Sequence, residues 1–250
     1  MEAEAPFLLQ FLVDWLNQLL GKWIPITNTI VMTWIVSVGL IIFAIVACAS
    51  LKMVPRGLQN LLEILIEQVL QLLEGIMGHK KAKFFLPLMG TLTLFILISN
   101  IVGLIPGLAA PTGDWNTTIA LSLIVFILTH FFGIKEKGLI RYFKHFAGPI
   151  WWLAPLMVPV HLIGEIAKPF SLSIRLFVNM MSKHLLLGCL AFLVVMFSKK
   201  LILFAQTLFI PLFLPPFVMV LGVLTCFIQT FVFVFLSTIY ISIAMEEEEH

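Results

Sequence analysis

The sequence predicts an all-α polytopic membrane protein with about five transmembrane helices, a membrane-parallel amphipathic helix, and a long tilted hairpin formed by the last two helices. Three observations predict it. Apolar residues make up 61% of the 250 and charged residues 11%, against about 45–50% and 25% in a soluble domain, so lipid must solvate much of the apolar surface. Several stretches reach the about 20 apolar residues that a span requires. The basic residues gather in two loops instead of spreading over a surface. The length fits one compact membrane domain, 1–250. The net charge of only +2 gives no ground for nucleic-acid binding.

Residues 1–28 are expected to form an external or interfacial segment. The stretch MEAEAPFLLQFLVDWLNQLL is acidic, has no basic leader region, and is interrupted by Asp14 and Asn17. It reads as a short interfacial helix and not as a cleaved signal peptide. The first span, 29–50, carries no charge. Residues 55–78 differ in kind: Pro55 suits a helix start, and Leu58, Leu61, Leu62, Leu65, Ile66, Val69, Leu72 and Leu73 recur at helical spacing, away from Gln59, Glu63, Glu67 and Glu74. That pattern predicts an amphipathic interfacial helix.

A second span covers 84–106, between the lysines at 80, 81 and 83 and the Pro106-Gly107 step. A third covers 117–134, between Asn116 and Lys135. Residues 150–245 are too long for one span. Divided at Lys199-Lys200, they give helices over 159–198 and 203–245, each long enough to demand tilting, bending or an interfacial portion. Pro211, Pro215 and Pro216 are expected to break the start of the second.

Nine basic residues, among them Lys52, Arg56, Lys135, Lys137, Arg141 and Lys144, lie in 51–83 and 135–149, and none lies in 106–116. The positive-inside rule therefore puts the first two segments, including the 135–149 loop, in the cytoplasm. The acidic tail 246–250 is then inside. Lys199-Lys200 fall outside, against the rule. Cys48, Cys189 and Cys226 sit in apolar runs with no metal-ligand spacing, so they read as small buried hydrophobes. No metal site and no cofactor are expected.

The chemistry concentrates in HLIGEIAKPFSLSIRLFVNMMSKHLLLG, residues 161–188, which puts His161, Glu165, Lys168, Arg175, Lys183 and His184 on one helix. A charge at mid-bilayer costs a few kcal/mol or more, so such residues face a protein interior or a water-filled cavity. Lys168, nearer the cytoplasmic end, has the option of snorkelling. Arg175 lies about ten residues from the nearest expected surface, too deep for that. At about 100° per residue, Lys168, Ser171, Arg175, Asn179 and Ser182 form one polar stripe, with His184 on the opposite face. Two polar faces offset along one helix are what two separate aqueous paths beside a fixed cation require. Arginine stays charged even when desolvated. A carboxylate that meets it loses its proton more readily, and histidine is a natural relay. On the last helix Gln229 is an amide set deep in an apolar run. It serves either as interhelical hydrogen-bonding glue or as a brace level with Arg175 that holds its guanidinium.

Four motifs, in order, carry a family resemblance. KPFSLSIRLFVNM (168–180) resembles the K/R-P-x-S-L-x-x-R-L-F-G-N signature of F-type ATP synthase subunit a. VPRGLQNLLE (54–63), ISNIVGLIPG (98–107) and IQTFVFVFLSTIYISIA (228–244) resemble three further segments of that family. The likeness runs from about residue 30 to the end. It implies a stator subunit that makes no bond itself and has no catalytic site of its own. Two offset half-channels would pass protons to and from a carboxylate of the c-ring, and Arg175 would be the electrostatic barrier between them. Asn179 and Gln229 then match polar positions beside the path, Asn100 the asparagine before the I-P-G turn, and His184 an ionisable position of the outer half-channel. Glu165 and Lys168 match positions nearer the cytoplasmic path. The implied partners are the c-ring, b-type peripheral stalk subunits and the lipid bilayer, in a bacterial cytoplasmic membrane.

The sequence departs from the family pattern at three positions. Val178 replaces a glycine, Lys183 stands where glycine or alanine is commoner, and Gly222 occupies a position that often carries His or Glu. The Lys183–Gly222 combination resembles members from alkaliphilic bacteria and implies that Lys183 retains protons at high external pH. A secondary ion-coupled transporter is the alternative, but it would show repeat symmetry and paired broken helices. A membrane-embedded enzyme would need a nucleophile–base pair or a metal cluster. His161 and Glu165 are spaced to face each other, but no third ligand is evident. A purely assembly-related subunit would not bury Arg175. No G-x-x-x-x-G-K-[ST] phosphate loop is present.

Overall fold

A computed structural model describes residues 27–49, 57–105, 108–139, 154–198 and 204–246, together with Gln10, Val13 and Tyr142. Six long helices and one short turn make up nearly all of them, and no strand occurs among the described residues. The helices are α1 (Asn28–Ala49), α2 (Leu58–Met77), α3 (His79–Val102), α4 (Trp115–Lys137), α5 (Ala154–Ser198) and α6 (Phe204–Met245), with a 3-10 turn at Pro111–Gly113. Most of the N-terminal segment, the tail beyond Glu246, Pro55, Lys52, Arg56, Arg141, Lys144 and Lys199-Lys200 lie outside the described residues.

Four helical stretches are long and apolar enough to cross a membrane: Asn28–Ala47, His79–Val102, Trp115–Lys137 and Pro216–Met245. In hydrocarbon every backbone group must be satisfied within the segment, which leaves helix as the only open-chain solution. Hydroxyls follow the same rule by bonding back one turn. Thr33 donates to Thr29 O and Ser37 to Thr33 O, both at 2.8 Å, and Thr238 to Val234 O at 2.8 Å. α2 is bounded by Gly57 (φ 63°) and Gly78 (φ 76°). Only glycine adopts such a backbone without strain, and the Gly78 N–H closes the helix on Glu74 O at 3.1 Å. Val69 and Leu73 of α2 are buried, while Leu61 and Ile66 of the same leucine-rich set are exposed.

α6 does not break at its prolines. It stays helical through Pro211, Pro215 and Pro216, and α5 likewise contains Pro159 and Pro169. Each proline forfeits one hydrogen bond, a loss that membrane helices tolerate where neighbouring groups or local adjustment satisfy the freed carbonyl.

The chain forms two compact units. The first comprises Met1–Ala44, Leu94–Asp114 and Leu176–Thr230; the second comprises Ile45–Thr93, Trp115–Arg175 and Phe231–His250. In the first, Val31 and Met32 pack with Val13, Ile30, Val102, Leu108 and Ala109. Close approach there depends on glycine: a Cβ at Gly103 would stand 2.0 Å from Met180 Cε and 2.4 Å from Ala110 Cβ, and one at Gly222 would stand 2.7 Å from Leu104 Cδ2. In the second, Phe85, Met89, Leu121, Val125, Leu172, Phe233 and Ile241 are buried. Phe84, Phe85 and Phe132 meet edge to face, with centroids 4.8–5.6 Å apart.

Candidate functional site

Each unit contains polar contacts between helices. In the first unit, Asn179 Nδ2 on α5 donates to Gln229 Oε1 on α6 at 3.2 Å. One turn further along α5, Lys183 Nζ donates to Cys226 Sγ at 3.3 Å. As α5 advances one turn, α6 recedes one turn, so the two run antiparallel here and are joined by two polar rungs. Gln229 and Cys226 are buried, while Asn179 and Lys183 are half-buried. Thr230 Oγ1 satisfies itself on Cys226 O at 2.8 Å. Gln229 thus holds Asn179, as interhelical glue would.

The same unit contains the Pro111–Gly113 turn. Thr112 Oγ1 donates to Asn100 Oδ1 at 2.6 Å, and both residues are buried. This bond ties the turn to the end of α3. Asn100 Nδ2 and Ser99 Oγ are buried and make no hydrogen bond within the described residues. A Cβ on Gly113 would stand 3.9 Å from His184 Nε2, so the turn lies directly beside the half-buried His184.

In the second unit Lys168 pairs with Glu165 on the same helix, both half-buried. The Lys168 ammonium lies 5.6 Å from the Tyr240 ring centroid, within the range of a cation–π contact. Glu165, Lys168, Tyr240, Ser122 and Thr129 help to line a cavity of about 10 Å³, roughly the space of one water molecule. Nearby, Ser173 Oγ donates to Thr118 Oγ1 at 3.3 Å. Outside the helical spans, burial, reinforced by the Glu165 carboxylate, pushes the Tyr142 phenol up to about 12. Tyr142 also packs on Gly133, where a Cβ would stand 2.8 Å from Tyr142 Cε2, and faces His130 with centroids 6.0 Å apart.

Arg175 is the last residue of the second unit and stands exposed on α5. Ser171 and Ser182 of its stripe are exposed too, and Val178 is 50% exposed. So are Phe170, Met181 and Leu185 on α5, and Phe227, Ile228 and Phe231 on α6. Lys168 and Asn179, by contrast, are turned into the polar contacts above.

Three participants escape sequence reading. Cys226 reads as a small hydrophobe, although its place three residues before Gln229, on the same helix face, is a signal for it. Thr112 lies in a loop with no periodicity to mark it. Tyr240 is one of several polar residues on the last helix, and nothing in the spacing singles it out as the cap on Lys168. Among the described residues no group of three or more side chains is placed to hold a metal ion.

The family model described as "ATP synthase A chain" matches residues 30–242. "ATP synthase subunit a 2" of Syntrophotalea carbinolica is 45% identical over 215 residues, 86% of this chain and 84% of that one. "ATP synthase subunit a" of Trichlorobacter lovleyi is 43% identical over 239 residues, 96% of each chain. The protein of the same name from Geobacter sulfurreducens is 44% identical over 220 residues, 88% of each.

Proposed function

The chain belongs to the ATP synthase A chain family, and from that premise we propose that it is the stator of a proton path in the membrane sector. It is a membrane protein and a subunit of an F-type ATP synthase. On our reading α5 is a fifth span beside the four apolar ones, and the membrane is the bacterial cytoplasmic one. Two offset half-channels lead to and from the carboxylate of a c-ring, and b-type stalk subunits hold the chain still against rotation.

One observation carries the reading: Arg175 is exposed on a helix face whose other exposed residues are mostly apolar, with only the small hydroxyls of Ser171 and Ser182 among them. Lipid tails would solvate that apolar face but not the guanidinium, which keeps its charge when desolvated. The partner that suits this surface is an apolar protein face bearing a carboxylate. As that carboxylate comes up to Arg175, the cation favours its ionised form and the proton is released. Free protons are repelled by the same charge and do not pass between the half-channels. The chain therefore forms and breaks no covalent bond in its substrate; it sets where a proton joins and leaves the ring.

Asn100, Thr112, His184, Lys183 and Asn179 supply the outer path. The buried Asn100 Nδ2, with no partner among the described residues, offers a donor there, and His184 beside Gly113 offers a relay. Glu165 and Lys168, with the water-sized cavity beside them, supply the inner one. Gln229 positions Asn179 one turn beyond Arg175.

The test is a photo-crosslinking amino acid placed at Val178, with Ile42 on α1 as the control. In the whole complex Val178 should give an adduct with the ring subunit and Ile42 should give lipid adducts alone. If Val178 yields lipid adducts alone as well, the exposed face of α5 does not meet the rotor and the reading is wrong.

A further inference from the structure

A second cavity of the second unit is lined by none of the ion-path residues. It has a volume of about 320 Å³, at the lower end of the roughly 300–1,000 Å³ typical of ligand sites. Three lysines line it: Lys80 and Lys81 from the first turn of α3, and Lys135 from the last turn of α4. One carboxylate, Glu136, accompanies them, and it stands 3.7 Å from Lys81. Among the described residues neither Lys80 nor Lys135 has an ion-pair partner, so within that set two of the cavity's positive charges are uncompensated.

Its other wall is aromatic. Phe84, Phe85 and Phe132 line it and lock one another edge to face. Phe85 is buried, but Phe84 is 63% exposed, on the first full turns of a helix that continues into apolar sequence. The site thus joins a cationic pocket to an apolar flank at the ends of two spans. A soluble anion would use the first feature and have no use for the second. A phospholipid with an anionic headgroup uses both.

We propose that this cavity binds the phosphate headgroup of an anionic phospholipid, with Lys80 and Lys135 on the phosphate oxygens, Lys81 held in place by Glu136, and an acyl chain running along Phe84. Charge complementarity commits the site to that occupant, since basic pockets between spans on the cytoplasmic side attract anionic headgroups. The proposal rests on reading α3 and α4 as spans with their lysine-bearing ends in the cytoplasm, and on nothing about Arg175. A bound lipid here would pin the α3 and α4 ends of the stator at a fixed depth in the cytoplasmic leaflet while the ring turns.

The experiment uses the whole complex reconstituted in phosphatidylcholine vesicles containing a minor fraction of phosphatidylglycerol with a photoactivatable acyl chain. Adducts are mapped by mass spectrometry, and proton pumping is followed in parallel. The expected result is an adduct on peptides containing Phe84 or Phe132. It should be roughly thirtyfold weaker in the K80Q/K81Q/K135Q variant, and weak throughout when the probe is phosphatidylcholine. Lys135→Gln alone should lower it about fivefold, which keeps the test decisive if the triple variant fails to assemble, and Glu136→Gln should raise it. Excess inorganic phosphate should leave it unchanged. Equal labelling by both lipids, labelling indifferent to the lysines, or displacement by inorganic phosphate overturns the proposal. So does labelling that emerges only after the stalk subunits are stripped, because the pocket would then belong to an acidic protein segment. Normal pumping without lipid adducts would remove the lipid site and leave the proposed function intact.

Discussion

An amide that accepts an interhelical bond from another amide can be dissected cleanly, and Asn179–Gln229 is such a pair, joined at 3.2 Å. Truncating Asn179 to alanine leaves a buried Gln229 oxygen without its partner. In a membrane bundle that costs about 1 kcal/mol, so Asn179→Ala should lower the thermal midpoint of the detergent-solubilised complex modestly. Gln229→Leu should be non-additive with it in a double-mutant cycle, and strict additivity would show that the bond does not matter. Lys183 is the other informative position. Its ammonium donates to the Cys226 thiol one turn beyond Asn179, on the outer side of our proposed path. On that reading it is the residue that adapts the outer path to an alkaline outer phase. Lys183→Gly should therefore narrow the range of external pH that supports ATP synthesis, with the loss on the alkaline side. Profiles that superimpose would dispose of this role. The titration of Tyr142 has a definite sign as well. Its phenol is pushed up from 10.0 to about 12 by burial and by Glu165, so the neutral form belongs to the folded chain. That contribution is complete below pH 10 and lost as the pH rises towards 12. The phenolate absorbance of the intact protein should show a late component that Tyr142→Phe removes.

Between helices, glycine decides how close the chains come. Gly222 lies where a Cβ would stand 2.7 Å from Leu104 Cδ2, so a His or Glu at that position requires the buried Leu104 side chain to give way. Overpacking of this kind typically costs about 1–3 kcal/mol. Gly222→Glu should reduce the yield of assembled complex, and Leu104→Ala should restore it in the double variant. A single variant that assembles at the normal yield would contradict the close packing. The absence of an ionisable side chain at Gly222 is in this sense coupled to the leucine two residues before Pro106. Such a coupling is invisible in the sequence because the partners lie far apart along the chain and share no periodicity. The all-helical class and the amphipathic character of α2 are legible for the opposite reason: lipid imposes composition and helix imposes spacing, and both act locally. The prolines of α6 mislead because a soluble-protein rule, that proline ends a helix, gives way once a membrane penalises every unpaired backbone group. The Lys183–Cys226 rung is only half legible. The lysine stands out as a charge in an apolar run, while the cysteine that receives it looks like any other small hydrophobe.

At the level of the whole molecule, the chain pairs an unusually apolar composition, with 61% apolar residues, with ionisable side chains gathered on α5. Three of those are engaged in polar contacts: Glu165 with Lys168, and Lys183 with Cys226. Arg175, exposed, stands apart from both pairs, and the account gives it a function that no internal contact supplies, that of a fixed cation met by a moving carboxylate. The most direct measurement compares wild type with Arg175→Ala in membrane vesicles carrying the whole complex. It follows ATP-driven proton uptake and, after removal of the peripheral catalytic sector, passive downhill proton flux. The account predicts an assembled complex in which coupled uptake is abolished while passive flux persists, because the half-channels remain and only the barrier between them is gone. Coupled uptake at the wild-type rate in Arg175→Ala would contradict it and leave Arg175 as a structural residue.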